Sequence, residues 1–389
     1  MDVANEILDA IEIIVDKKIR ENTAQIYPGI CKSVSGGSCV MSINGKDNTI
    51  QFYGSIPTVG AIYRVFVPDG NMSMAFAITG NDDRKGLHYS NPNLLDNGYF
   101  GNPVNQRGQT EYTGGNVYTI DRWITLGANS LFSVLDKGVR IARKTDGDNG
   151  RITQRLSPEL CTALAGKTCT LSALVNSFPK SGYAGLLILW DNVTLSEVQI
   201  NPDSASKLIS TTFTIPDSMV SANNADYRVQ ISTNATGGDG AELAAVKLEL
   251  GSTQTLAHQD GDGNWVLNEI PDYGEQLARC QRYFVNFNPN KVNWFAMPPA
   301  VASNTTEAYS SVTLPVAMRA QPTVSYGGKI ALSQTDDVQV TGIQVSGSTF
   351  TGSYLQLAYF VADGLTANST YRVQGYNDST SYIWLSADL

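Results

Sequence analysis

Short apolar segments alternating with polar positions at period two, and separated by Gly, Pro, Asn and Asp turns, run through most of the chain. That rhythm is the signature of antiparallel β structure. Two stretches break it. Residues 2–25 place Val3, Ile7, Leu8, Ile11, Ile14, Val15 and Ile19 at three- and four-residue steps among Asp, Glu and Lys, which predicts a helix over 1–26 with one apolar stripe. The stripe needs a partner, either the β module that follows or its own copies in a short coiled coil. Residues 273–284 return to helical spacing through Leu277, Cys280 and Phe284 after the turn Ile270-Pro271-Asp272, which predicts a connecting helix over 270–284.

The intervening text divides into modules. Residues 27–80 hold five short strands, punctuated by Ser35-Gly36-Gly37, Asn44-Gly45-Lys46 and Pro68-Asp69-Gly70, the count and length of a small OB-like barrel. Residues 81–92 are polar, carry charges of both signs and end in Asn-Pro, as a linker does. Residues 93–269 give ten candidate strands and one helical turn, where Ser157 stands as a cap before Pro158. A jelly-roll sandwich follows from that count. Residues 285–389 form a further β text, expected as a C-terminal β-sandwich tip, rich in the Tyr, Ser, Thr and Asn that recognition surfaces favour. The fold class is therefore mainly β.

Charge and cysteine usage narrow the function. A net charge of -9 argues against neutralising nucleic-acid phosphates, so no nucleic-acid partner is expected. Cys31, Cys39, Cys161, Cys169 and Cys280 are odd in number and none pair as Cys-x-x-Cys; they read as small buried hydrophobes rather than zinc ligands or disulfides. No basic and apolar leader opens the sequence, so export by the usual signal is not expected. The longest apolar run, residues 184–190, is far below the ~20 needed to span a bilayer, so no membrane insertion is expected.

Catalytic chemistry has few carriers. His88 falls in the linker and His258 in a polar turn, neither on a framework that would hold an imidazole for nucleophilic work. Two carboxylates alone could cleave a glycan, but the coil repeats of a β-helix depolymerase are missing from the sequence. No enzyme activity and no cofactor are expected. Asp260-Gly261-Asp262-Gly263-Asn264 imitates the front half of a calcium loop, yet Trp265 stands where such a loop needs Gly, and a turn held by Asx hydrogen bonds is the better account. Trp123 and Trp190 lie within strand patterns and are expected in the core. For sugar binding the terminal module offers Trp294, Tyr376 and Trp384, beside the turn-rich stretches 286–293 and 377–381.

Paired phrases bracket the middle module: Asn93-Leu94-Leu95-Asp96-Asn97-Gly98-Tyr99-Phe100 with Asp121-Arg122-Trp123, then Leu248-Glu249-Leu250-Gly251 with Cys280-Gln281-Arg282-Tyr283-Phe284. In order and spacing these resemble the sugar-binding-type jelly rolls carried on bacteriophage tail fibres and receptor-binding proteins. The resemblance implies a homotrimeric virion component, assembled in the host cytoplasm, whose partners are tail or baseplate proteins and a host cell-surface glycan. It also leaves open a structural tail protein without receptor contact, and a fibre-borne glycan hydrolase or deacetylase.

Overall fold

The structure is a computed structural model that describes residues 25–388 apart from 55–56, 58, 61, 69–70, 80–89, 191–192, 205, 218–226 and 348. The helix expected at the start of the chain falls outside the described residues up to position 24, as do His88 and most of the expected linker. The chain divides into two compact units, residues 1–89 and 90–389.

In the first unit, β1 (Gln25–Ser35), β2 (Ser38–Ile43), β3 (Lys46–Gly54), β4 (Ile62–Val67) and β5 (Phe76–Thr79) close into a barrel ordered β1-β2-β3-β5-β4. β3 and β5 run parallel while β1 closes on β4, the five-stranded Greek-key arrangement of an OB fold. Period two sets the interior: Cys39, Met41 and Ile43 of β2 point inward to meet Ile50, Val65 and Val67. Asn44 and Gly45 join β2 to β3 with φ of 49° and 77°. Two positive values are what a type I′ hairpin requires, and Asn-Gly supplies them with least strain.

The second unit opens with β6 (Glu111–Thr113), β7 (Ile124–Leu126), β8 (Ser130–Leu135), β9 (Gly138–Arg143), β10 (Gly150–Arg155), β11 (Thr168–Ser177), β12 (Ala184–Trp190), β13 (Val193–Ile200), β14 (Leu208–Thr214), β15 (Tyr227–Thr233) and β16 (Ala241–Leu250). They form two facing sheets, ordered β13-β12-β15-β10-β7 and β14-β11-β16-β9-β8-β6. Leu186, Ile188, Val229 and Ile231 of the first share one core with Leu171, Leu243, Val246 and Leu248 of the second, which is what makes a sandwich. Helix α1 (Pro158–Leu164) interrupts the strands where Ser157 accepts a hydrogen bond from the Leu160 amide at 3.3 Å. Trp123 is wholly buried edge-on to Phe100, its indole N–H donating to the Asn97 carbonyl at 3.0 Å. Trp190 packs on the same core only partly buried.

A hairpin of β17 (Ala257–Gln259) and β18 (Trp265–Leu267) leads to α2 (Tyr273–Gln281), capped by Asp272. Phe284, included in the helical spacing, instead opens β19 (Phe284–Asn286). Then come β20 (Ala296–Ala302), β21 (Glu307–Thr313), β22 (Thr323–Gly327), β23 (Ile330–Ser333), β24 (Asp337–Val345), β25 (Tyr354–Val361), β26 (Thr370–Gly375) and β27 (Tyr382–Ser386). The two layers expected of a terminal sandwich take a different form: six strands close as β20-β21-β25-β24-β23-β26, and β19-β27-β22 make a separate sheet. The cause is β26, which pairs with β20 on one side and β23 on the other and so removes the open edge. Leu332, Leu355, Leu357, Tyr359 and Val373 fill this barrel.

Candidate functional site

Trp294 lies just before β20 and Tyr376 just after β26, and these strands pair, so the chain delivers both residues to one end of the terminal barrel. Their rings meet edge to face with centroids 5.2 Å apart and an interplanar angle of 79°. Trp294 is 53% exposed, Tyr376 38% and the neighbouring Val292 49%. Singly these values are ordinary; three large apolar side chains exposed together on short turns form a platform.

The platform is rigidly backed. Gly375 donates to the Phe295 carbonyl at 2.9 Å, and a Cβ at this glycine would lie 2.6 Å from the Phe295 ring, so nothing larger fits. Buried Asn288 bridges the two turns, donating to Val292 and Ser381 carbonyls and accepting from the Val292 amide. Asp378 accepts from the Thr380 hydroxyl at 2.6 Å, the Thr380 amide at 2.9 Å and the Lys329 amide at 3.0 Å. Those Thr380 donors hold its carboxyl below the usual range, so it stays ionised beside the aromatics. An exposed aromatic ring with adjacent fixed acceptors suits the two sides of a sugar ring, C–H on one and hydroxyl on the other.

Trp384 does not join this pair. It lies on β27 between Tyr382, at 4.2 Å centroid separation, and Phe284, at 5.5 Å, and its indole N–H is buried without a hydrogen-bond partner among the described residues. Phe284 belongs to a second cluster, where the sandwich meets the terminal module. Gln106 donates to the Phe284 carbonyl at 2.8 Å and accepts from the Asn286 amide at 3.3 Å. Arg107 stacks over the Phe284 ring at 3.7 Å and pairs with Asp388 at 3.0 Å and Asp121 at 3.4 Å. Burial pushes the Asp121 carboxyl up to about 7 against the pull of Arg107 and Gln106, and burial likewise raises Asp388. A perturbed acid often marks catalysis, but Asp121 is fully enclosed and holds Gln106 and Arg107, the two side chains that reach the terminal module.

Beside this junction Arg122, Arg155, Arg279 and Arg282 line a cavity of about 230 Å³ with Asp96 as its one carboxylate. None of the four was singled out as a site from sequence, although Arg122 and Arg282 stand in the phrases that carry the resemblance. The other candidate motif resolves as a turn. Asp260 accepts from the amides of Asp262 and Asn264 at 3.0 and 2.8 Å, which is the Asx arrangement.

No family model and no curated protein matches the chain. Among solved structures, the Stig cyclase Fisc from Fischerella sp. TAU is 15% identical over 42% of this chain and 100% of its own, with a TM-score of 0.27. The N-terminal CBM22-1-CBM22-2 tandem domain from Paenibacillus barcinonensis Xyn10C is 9% identical over 78% of this chain and 99% of its own, at 0.23. The binding domain of Botulinum neurotoxin DC, solved with rat synaptotagmin II, is 8% identical over 73% and 100%, at 0.22.

Proposed function

We propose that this protein is a non-catalytic adhesin of a bacteriophage tail, a fibre or receptor-binding protein that grips a glycan on the host bacterial surface. The observation that carries the reading is the exposed Trp294–Tyr376 pair on a rigid turn platform beside ionised Asp378. The resemblance of the bracketing sequence phrases to those of fibre jelly rolls supports a setting in a virion. In a homotrimer, three weak sites on one axis raise avidity by orders of magnitude when the surface repeats its epitope. The barrel of the first unit then serves attachment to tail or baseplate proteins.

The test adds full-length protein and the double variant Trp294→Ala, Tyr376→Ala to susceptible and resistant bacteria, measuring bound protein and released sugar. Binding to susceptible cells alone, lost in the variant without sugar release, is expected. Released sugar would make the protein an enzyme, and binding unaffected by the variant would move the receptor contact elsewhere.

A further inference from the structure

We propose that the arginine-lined cavity beside the module junction binds an acidic sugar, one carrying a carboxylate or a phosphate. The oxyanion class follows from the cavity itself; that it belongs to a sugar rests on the adhesion reading above. Four arginines and one carboxylate, Asp96, line it in a chain whose net charge is -9, with Asp388 4.0 Å from Arg122. Glu159, its carboxyl lowered first by hydrogen bonds from its own amide and Ser157, is close enough to Arg282 to be lowered further. Asp96 is already taken, by Arg122 at 3.1 Å and by Arg279 at 2.8 Å. Arg282 is exposed, and its side chain makes no hydrogen bond or ion pair among the described residues.

The donors are held before any ligand arrives. Arg122 sits at φ 72°, a left-handed backbone that only its surroundings can enforce. Its guanidinium lies 3.5 Å over the Tyr283 ring and donates to the Arg155 carbonyl at 3.1 Å. Arg279 is fixed by the Asn93 and Leu95 carbonyls at 3.3 and 3.2 Å. Arg122 and Arg279, with most of their N–H groups already bonded, supply fixed positive charge, and the planar fork of Arg282 is the one that can pair with a carboxylate or phosphate by two hydrogen bonds. Leu156 and Leu160 add an apolar wall for the C–H face of a ring. About 230 Å³ is room for roughly seven to eight waters, the scale of one small sugar rather than a chain.

Calorimetric titration of the full chain with glucuronate, glucose 1-phosphate, inorganic phosphate and, as neutral control, glucose tests this without cells, so its outcome is separate from that of the adhesion assay. Saturable binding of both acidic sugars, none of glucose, and weakening as ionic strength rises are expected. Arg282→Ala should melt as the wild type does and lose about tenfold in affinity, the usual weight of a charge-assisted contact. Arg279→Gln provides a second variant with the same expected direction. Binding of glucose as tight as that of glucuronate, binding of inorganic phosphate alone, unchanged affinity in both variants, or no binding of either acidic sugar would each overturn the proposal.

Discussion

Asp121→Asn is expected to reduce a pH dependence of stability that the wild-type second unit carries. The Asp121 carboxyl is raised from 3.8 to about 7, first by desolvation, in a side chain with no exposed surface. Below pH ~4 folded and unfolded chains both hold the proton, and no penalty applies. Between about 4 and 7 the unfolded chain has released it while the folded chain keeps it, so folding grows less favourable as pH rises. Roughly three units at ~1.36 kcal/mol each give an upper bound of about 4 kcal/mol, of which about 2–3 fall between pH 5 and 7.5. Asp388, also raised by burial, acts in the same direction. The lowered carboxyls of Asp260 and Asp378 act in the opposite sense, stabilising above their unfolded range near 3.8 and losing that contribution only below it. The window above pH ~5 therefore leaves those two carboxyls out of the comparison, and the difference between wild type and variant isolates Asp121. All five tryptophans lie beyond residue 90, so their fluorescence follows this unit alone in urea. The wild type should unfold at lower urea at about pH 7.5 than at about pH 5. The carboxamide introduced by Asp121→Asn mimics the protonated acid and should flatten that difference by about 2 kcal/mol or more. Equal pH slopes in the two proteins would refute the account.

Two further outcomes rest on the same burial. Arg107→Ala removes one cationic partner from each of two buried carboxyls and the stack from Phe284, and should cost about 3 kcal/mol in the same urea experiment, with Arg107→Lys recovering only part because its ammonium does not stack. All five cysteines are buried and unbridged, with burial raising Cys161 to about 12 and Cys169 to about 11, so a thiol reagent should label them only as the protein unfolds. Rapid labelling of the native protein would show that the interior opens.

What the sequence revealed was local. Asn44-Gly45 dictates its own hairpin, Ser157-Pro158 its own helix start, and Trp123 its burial, because each depends on neighbours a few residues away. Trp294 and Tyr376 were legible as aromatics beside turns, though their contact arises only when β20 pairs with β26. Trp384 shares that local description and fails it, since β19 and β22 pair along both sides of its strand and Phe284 covers its ring. Closure of the terminal barrel and convergence of Arg122, Arg155, Arg279 and Arg282 depend on contacts between residues far apart in the chain. Period-two patterning carries no record of such meetings.

The bonds from Gln106 and Arg107 to Phe284, Asn286 and Asp388, with that of Lys291 to the Gly108 carbonyl at 3.1 Å, bear on how such a protein can be recombined. A crossover at residue 284 would hand the sandwich a foreign tip lacking the mates of those side chains. A crossover near residue 90 leaves every one of them intact. The unit that can be exchanged with its internal contacts whole is then the span from 90 to 389, and chimaeras that test the proposed adhesion should be cut there.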